Sequence, residues 1–206
     1  EGHWPVHPLD DEGEALRTGF KGLYLGSAGV LWALWYLQRQ GAAELGSDPA
    51  QGMQHAYSAY RLDPDTGEIV PSYYLGEAGI LLVLWRLTGS SAAADRLHAA
   101  VRANVGHPAN EAFWAAPGTM VAAWHLWQAT GDARWRELFQ ENVDQLWRTW
   151  VFDAQVQCHL WTQDMYGQVT QYLGAGHGFV GNAYALLLPG DASDELVARI
   201  RAHLRR

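Results

Sequence analysis

Cysteine is almost absent from this chain, since Cys158 is the only one among 206 residues. An intrachain disulfide is therefore impossible, and the chain alone cannot build a Cys-rich zinc cage. Basic residues are also scarce, with 14 Lys and Arg against 22 Asp and Glu and a formal charge of -8. Because nucleic acids and anionic membranes need a basic surface, we expect neither as a partner.

Long apolar runs are missing as well. None approaches the roughly 18 residues that a membrane-spanning helix needs, and the start Glu1–Trp4 has neither the charged nor the apolar part of a signal peptide. Together with the single cysteine, this predicts a cytoplasmic protein without a membrane span. The chain also starts without Met, which indicates a truncated polypeptide. An apolar content of 49% still predicts one domain over residues 1–206.

Aromatic residues, in contrast, are plentiful, with 11 Trp and 9 Tyr. Such an excess indicates either thick packing between helices or a stacking surface for a ligand. We favour packing as the main use of these side chains.

A short glycine motif repeats along the chain. Tyr24–Gly29 recurs as Tyr74–Gly79, and each copy precedes an apolar stretch with a Trp six residues after its second Gly. Ala115–Gly118 is a degenerate third copy and Gly178–Gly181 a fourth, so the copies start about 40 to 60 residues apart. This spacing suits two helices with their loops, and it predicts a tandem array of helical hairpins.

The apolar runs after the glycine pairs predict inner helices buried on both sides, because they are apolar nearly all round. Arg134–Trp150 instead separates apolar and charged faces at helical spacing, which predicts an outer helix. Asp48 and Asp132 are expected helix starts, and Val151–Thr162 is expected to form a short hairpin. The predicted inner runs are Val30–Leu37, Ile80–Leu87 and Thr119–Ala129, and the predicted helix stops are Gly41, Gly89 and Gly131.

Glycine at the start of each inner helix has two expected uses. Without a Cβ atom, the turn can reach positive φ, and its backbone can approach a neighbour or a ligand closely. Such a turn would also direct the first amides of the helix toward whatever lies in front of them.

The sharpest motif surrounds a single histidine with four glycines, in the run Tyr172–Asn182. His177 lies at the start of a predicted inner helix, and its titration range suits proton transfer. The neighbouring glycines leave room for a substrate. His177 is therefore the candidate catalytic residue, and we assign substrate binding to Tyr172, Gly174, Gly176, Gly178, Asn182 and Asp164.

Gly174–Gly181 matches the Gly-x-x-His-Gly-x-x-Gly motif of the lanthionine synthetase C-like family position for position, and Trp161–Gly167 is similar to family sequence. The resemblance implies an all-α fold, namely an α/α toroid of concentric inner and outer helices, here incomplete with about four hairpins. It implies zinc-assisted addition of a thiol to a dehydroalanine or dehydrobutyrine, which forms a thioether ring in a peptide, or a related glutathione addition. The matched His177 would be the acid/base residue.

The zinc ligands of that family are not encoded here. Two Cys and one His hold the metal in Trp-Cys and Cys-His-Gly motifs downstream of the His-Gly motif, and the chain contains neither. Cys158–His159 lies upstream and lacks a second thiolate, so we predict no metal or other cofactor in this chain, although zinc is expected in complete members. Whether the chain is an enzyme by itself stays open, because this chemistry would be incomplete.

An incomplete toroid would also leave apolar flanks of its inner helices exposed. We expect a partner or a second copy to cover such an open edge. In the leading hypothesis the other partner is a peptide or a thiol-containing substrate.

Two other functions fit the same sequence. A carbohydrate-active α/α barrel, such as a sugar epimerase or glycoside hydrolase, would stack its aromatic residues on sugar rings, with Glu77 and Asp164 as imaginable carboxylates. A non-catalytic module that binds a peptide or assembles through its open edge is the third possibility.

Overall fold

A computed structural model describes residues 4–7, 19–189, 198 and 201, and this part of the chain is mostly helical with two small β-hairpins. Its contacts divide the chain into two compact units, residues 1–97 and 98–206. The helical fold class is confirmed at this level, whereas the single domain over 1–206 stays a prediction. Within the described ranges, no helix is both long and apolar enough to cross a membrane.

The first unit is built from paired helices. The helices are α1 (Ser27–Arg39), α2 (Pro49–Leu62), α3 (Glu77–Thr88) and α4 (Ser91–Asn104), the last of which runs from the first unit into the second. Helix α2 packs against both α1 and α3, and α1 also contacts α3. Every residue of α3 from Glu77 to Leu84 is buried, as an inner helix requires.

The second unit combines helices with two antiparallel hairpins. Its elements are α5 (Ala116–Thr130), α6 (Ala133–Arg148), β1 (Trp150–Asp153), β2 (Cys158–Trp161), β3 (Gln163–Met165), β4 (Gln168–Thr170) and α7 (Phe179–Leu187). Helix α5 packs against α6 and α7. Trp150 pairs with Trp161 in the first hairpin, and Gln163 pairs with Thr170 in the second. The two hairpins therefore lead the chain from α6 to α7.

The local helix signals are confirmed. The Asp48 and Asp132 side chains accept hydrogen bonds from the amides of Ala50 and Arg134 and so cap α2 and α6. Gly89 and Gly131 end α3 and α5 in the left-handed conformation. All three predicted inner runs lie inside α1, α3 and α5, and Gly41 has positive φ just after the end of α1.

The structure differs from the prediction in one helix boundary and in one additional hairpin. The outer helix ends at Arg148, because Trp150 already pairs with Trp161 in the first hairpin. That hairpin confirms the strand prediction for Val151–Thr162. The hairpin of β3 and β4 was not predicted, because three-residue strands give too little alternation of apolar and polar residues to be recognised.

The first glycine of each clear repeat begins its helix in contact with the loop that precedes it. The amide after Gly26 donates to the Phe20 carbonyl at 2.9 Å, and the amide after Gly178 donates to the Tyr172 carbonyl, also at 2.9 Å. Gly76 repeats the arrangement, since the next amide donates to the Val70 carbonyl at 2.9 Å. Donor and acceptor are always seven residues apart. The repeated motif therefore encodes a loop that turns back onto the start of its own helix.

Close approach, and not unusual backbone torsion, explains these glycines. Gly26 and Gly178 have extended backbone angles, with φ of -123° and -162°, which any residue can adopt. The expectation of positive φ at these turns is therefore wrong. A Cβ atom at Gly26, Gly76 or Gly178 would instead overlap the carbonyl group six residues upstream, and the same is true at Gly29, Gly79 and Gly181.

The first helix amides are also not free to bind a ligand. Those of Ser27 and Ala28 donate to Phe20 and Lys21, and those of Phe179 and Val180 donate to Tyr172 and Leu173. What lies in front of the first amides of these two helices is therefore the preceding loop and not a ligand. Each loop satisfies two of the hydrogen bonds that a helix start leaves open.

Apolar exposure is uneven among the helices that follow glycine motifs. Tyr36 and Leu37 on α1 are 51% and 42% exposed, and Val180 and Tyr184 on α7 are 52% and 59% exposed. Helix α3, in contrast, is buried along most of its length. Helices α1 and α7 therefore each present an apolar face to solvent.

Most of the excess aromatic residues pack against one another. Trp135 and Trp161 are almost fully buried, at 1% exposure each. Trp161 donates its Nε1–H to the Leu146 carbonyl at 2.8 Å, and its ring lies 5.0 Å from that of Phe179. The end of β2 thereby holds the first turn of α7, the helix that follows the histidine motif.

We predict that Gly79→Ala lowers the free energy of unfolding by about 1 to 3 kcal/mol. The new methyl group would overlap the Tyr73 carbonyl, a backbone atom that cannot turn away as a flexible side chain could. Urea unfolding followed by circular dichroism measures the change. Gly46→Ala is the matched control, because nothing lies within 4 Å of its added Cβ. Equal stability of both variants would contradict the close-contact explanation.

Candidate functional site

His177 lies in the loop before α7 and is paired with a buried carboxylate. Its Nδ1 atom is 2.8 Å from Oε2 of Glu111. The Glu111 side chain is fully buried, whereas 42% of the His177 side chain is exposed. One face of the imidazole is thus held by the protein while the rest of the ring is accessible to a substrate.

The Glu111 carboxylate is fixed by its own loop, which precedes α5. Its two oxygens accept hydrogen bonds from the amides of Phe113 at 3.0 Å and Trp114 at 2.6 Å. Burial raises the pKa of the Glu111 carboxyl above its ordinary value, while these two amides and His177 lower it. The carboxylate therefore has a fixed position from which to orient the histidine.

This arrangement suits general acid and base catalysis. A carboxylate accepts hydrogen bonds, so the short contact assigns a proton to Nδ1 of His177 and leaves Nε2 as the atom that takes up or releases a proton. The buried negative charge of Glu111 stabilises the imidazolium that forms when Nε2 is protonated. The pair has the geometry of an oriented acid/base residue.

Aromatic rings surround the histidine. The Phe113 ring lies 5.0 Å from the His177 ring, and the Tyr166 ring lies 6.4 Å from it in an edge-on arrangement. Trp114 donates its Nε1–H to the Tyr166 hydroxyl at 2.7 Å. Phe113 and Tyr166 therefore form an aromatic wall beside the imidazole.

A buried polar network supports the loop that carries Glu111. Asn182 on α7 donates its side-chain amide to the Asn110 carbonyl at 2.9 Å, and Gln163 on β3 donates to the same carbonyl at 3.4 Å. Asn110 itself has a φ of 49°, a left-handed conformation that asparagine tolerates better than most residues. Two elements, α7 and β3, thus hold the backbone immediately before Glu111.

The residues assigned to substrate binding occupy different environments. Gly176 lies against Phe113, whose Cε2 atom would be 3.1 Å from an added Cβ, whereas Gly174 has open space around it. Gly178 is buried at the start of α7, and Asn182 is fully buried. Of this set, Gly174 and Gly176 lie beside the exposed face of the loop, and the substrate-binding role of all six stays a prediction.

Tyr172 and Asp164 hold the loop and the second hairpin through their backbones. The Tyr172 amide donates to Oε1 of Gln163 at 2.8 Å, and its side chain is 44% exposed. The Asp164 amide donates to the Pro108 carbonyl at 3.1 Å, while the residue itself is exposed on β3. Both are close in sequence to the site and contribute to its framework.

The residues present do not fit the zinc ion that the resemblance implies. Cys158 and His159 lie on β2, where the His159 ring packs between Trp150 and Phe152 at 5.0 and 5.3 Å. Within the described ranges, no three His, Cys, Asp or Glu side chains are grouped so that they could hold a metal ion. We therefore assign zinc no role at these residues.

Glu77 has a different role from that of a free carboxylate. It is 7% exposed, and its oxygens accept hydrogen bonds from Arg96 at 3.1 and 3.4 Å and from the Tyr57 hydroxyl at 3.4 Å. These contacts form a partly buried ion pair within the first unit. Glu77 is therefore positioned to stabilise the start of α3.

Glu111, Phe113 and Trp114 were not found from the sequence. Glu111 is 66 residues before His177, and no motif joins the two. The available signal was weak: a carboxylate four residues before Ala115, where the third repeat replaces its first glycine. Ala115 carries a Cβ, and its amide donates to the Glu111 carbonyl at 3.0 Å, while its backbone angles, φ -115° and ψ -167°, stay close to those of Gly26.

A groove of about 310 Å³ is lined in part by Asn110, the residue before Glu111. Its lining includes His107, Gln145, Thr149 and Thr162. Nδ1 of His107 accepts a hydrogen bond from the Ala109 amide at 3.2 Å, and partial burial lowers the pKa of the His107 imidazole below its ordinary value. The groove thus combines these polar groups with the apolar side chains of Val105, Pro108 and Val151.

Comparison with known proteins gives no further assignment. No protein-family model matches the chain, and no curated protein matches it.

We predict that the wild type loses unfolding free energy relative to His107→Asn as the pH falls below about 6.5. The depressed pKa of His107 means that the unfolded chain binds a proton which the folded chain resists. The stability that His107 contributes is therefore present above the unfolded pKa and is lost as the pH falls through the folded pKa. The Asn oxygen can replace Nδ1 as the acceptor for Ala109. Urea unfolding between pH 5 and 8 measures the difference, and parallel curves would contradict the prediction.

Proposed function

We propose that His177 and Glu111 form the acid/base pair for addition of a thiol to a dehydroamino acid in a peptide. This proposal rests on the 2.8 Å contact between Nδ1 of His177, which is about half-exposed, and the fully buried carboxylate of Glu111. The match of Gly174–Gly181 to the lanthionine synthetase C-like motif supplies the reaction class. The reaction would yield a thioether.

The chemistry needs a proton donor at the site. When the sulfur of a thiolate bonds to the β-carbon of a dehydroalanine, the carbon–carbon π pair moves and leaves negative charge on the carbonyl oxygen. The α-carbon must then take a proton, which protonated His177 can deliver from Nε2. The histidine becomes neutral, and the product carries one new carbon–sulfur bond and one new carbon–hydrogen bond.

Glu111 makes this delivery more effective. Its carboxylate fixes the ring through Nδ1, so that Nε2 keeps one direction, and its charge stabilises the protonated state before transfer. Ionising the thiol is a separate demand, because an ordinary thiol has a pKa of about 8.5 against about 6.5 for an ordinary histidine. We assign His177 the proton transfer to carbon and assign thiol ionisation to none of the described residues.

We also propose that the helices form part of an α/α toroid. Paired helices, inner helices that begin on close-contact glycines, and the burial of α3 support it. Helix α1 in the first unit and helix α7 in the second each have an exposed apolar face, which supports a covering second copy or another partner.

We predict that His177→Gln slows the addition of glutathione to N-acetyl-dehydroalanine methylamide by about 10²-fold or more. At pH 7.5 about a tenth of an ordinary thiol is ionised and about a tenth of an ordinary histidine is protonated, so both reacting forms are present without a metal. Product formation is measured by mass spectrometry over the uncatalysed background. Glu111→Gln is expected to lose about tenfold or more, because the ring loses its fixed anionic partner.

The matched control is His55→Gln, which alters an exposed histidine on α2. Its rate should equal that of the wild type. Circular dichroism and urea unfolding establish that each variant is folded. A His177→Gln variant that is folded and as fast as the wild type would overturn the proposed function.

A further inference from the structure

Tyr166 occupies a place in the second hairpin where another residue would form a better turn. Tyr166 and Gly167 join β3 to β4 and have φ angles of 54° and 72°. Two-residue turns with positive φ at both positions favour Asn or Asp before Gly, because the left-handed conformation strains a bulky side chain. The tyrosine therefore weakens the turn, and its side chain needs another explanation.

Burial does not supply that explanation. The Tyr166 side chain is 69% exposed, yet it has a defined position. Its hydroxyl oxygen accepts a hydrogen bond from Nε1 of Trp114 at 2.7 Å, and the two rings meet edge to face at 6.3 Å. Contact with Trp114 thus fixes an otherwise exposed phenol beside the His177 ring.

The direction of this hydrogen bond determines what the phenol can do. An indole N–H only donates, so the Tyr166 oxygen must be the acceptor, and its own proton is available to a different partner. A hydroxyl that already accepts one hydrogen bond becomes a better donor. Tyr166 therefore presents an activated O–H group at the edge of the site.

One segment holds both chemical groups. Trp114 donates its backbone amide to Glu111 at 2.6 Å and its side chain to Tyr166 at 2.7 Å. Since Glu111 orients His177, Trp114 positions the imidazole through Glu111 and the phenol through a direct hydrogen bond. Their separation is consequently preorganised, as a site that binds one atom and protonates its neighbour requires.

We propose that Tyr166 is the hydrogen-bond donor to the carbonyl oxygen of the dehydroamino acid on which His177 acts. This inference rests on the proposed function and names the group that binds the substrate there. As the thiolate adds to the β-carbon, negative charge develops on that oxygen, and the Tyr166 O–H stabilises it without transferring its proton. His177 then protonates the α-carbon.

The first test measures binding and needs no turnover. N-acetyl-dehydroalanine methylamide is titrated into the chain while the His177 ring signals are followed by nuclear magnetic resonance. Tyr166→Phe removes only the hydroxyl, and we expect the dissociation constant to rise about three- to tenfold. Tyr184→Phe removes the hydroxyl of an exposed tyrosine on α7 and should leave binding unchanged.

The second test separates ground-state binding from charge stabilisation. With glutathione at pH 7.5, Tyr166→Phe should lower kcat by about 10²-fold with a smaller rise in KM, because the donor matters most when the oxygen is charged. Tyr166→Asn should lose as much activity although Asn suits the turn better. If Tyr166 served only the turn, Tyr166→Asn would be fully active.

The outcomes distinguish the two proposals. A slow His177→Gln variant beside an unaffected Tyr166→Phe variant would overturn this inference and leave the proposed function standing. A His177→Gln variant as fast as the wild type would overturn the proposed function. Absence of any His177 signal change on addition of the probe to the wild type would overturn both.

Discussion

The contact between the start of each glycine-led helix and the loop before it is the constraint on which the site depends. In the fourth repeat, a Cβ at Gly178 would overlap the Tyr172 carbonyl, and one at Gly181 would overlap that of Ala175. With hydrogen, the loop closes onto α7 through the bond from Phe179 to Tyr172. His177 lies inside this closed loop, so the same contact that begins the helix also sets the position of its imidazole.

The acid/base pair forms because two loops of the repeat meet. The loop before α5 keeps the backbone angles of the other copies at its last residue, although Ala115 replaces the glycine that they have at this position. Its Ala112 Cβ lies 3.2 Å from where a Cβ would be at Gly181, and its Glu111 reaches His177. The third copy, whose glycine motif is degenerate, thus supplies the carboxylate that pairs with the histidine of the fourth copy.

Some aromatic residues support the fold, and others lie beside the candidate site. Trp161 is buried and holds the start of α7, whereas Trp114 and Tyr166 extend the hairpin contact to the exposed imidazole. Both uses depend on the two hairpins between α6 and α7. A helical repeat without this insertion would have the histidine loop and Phe113 but would lack Tyr166 beside them.

Local pattern was sufficient to predict the inner runs of α1, α3 and α5, the outer helix α6, the Asp caps, the Gly stops and the first hairpin, because apolar periodicity, Asp caps and Gly stops act over a few residues. It also singled out His177, from the glycines around it. Only the tertiary structure brought Glu111 and Tyr166 to that histidine and buried Asn182. A contact between residues 66 positions apart leaves no periodic signal in the sequence, since it depends on how α5, α7 and the hairpins pack. The sequence by itself determined where the histidine loop lies, and packing decided which side chains would act with it.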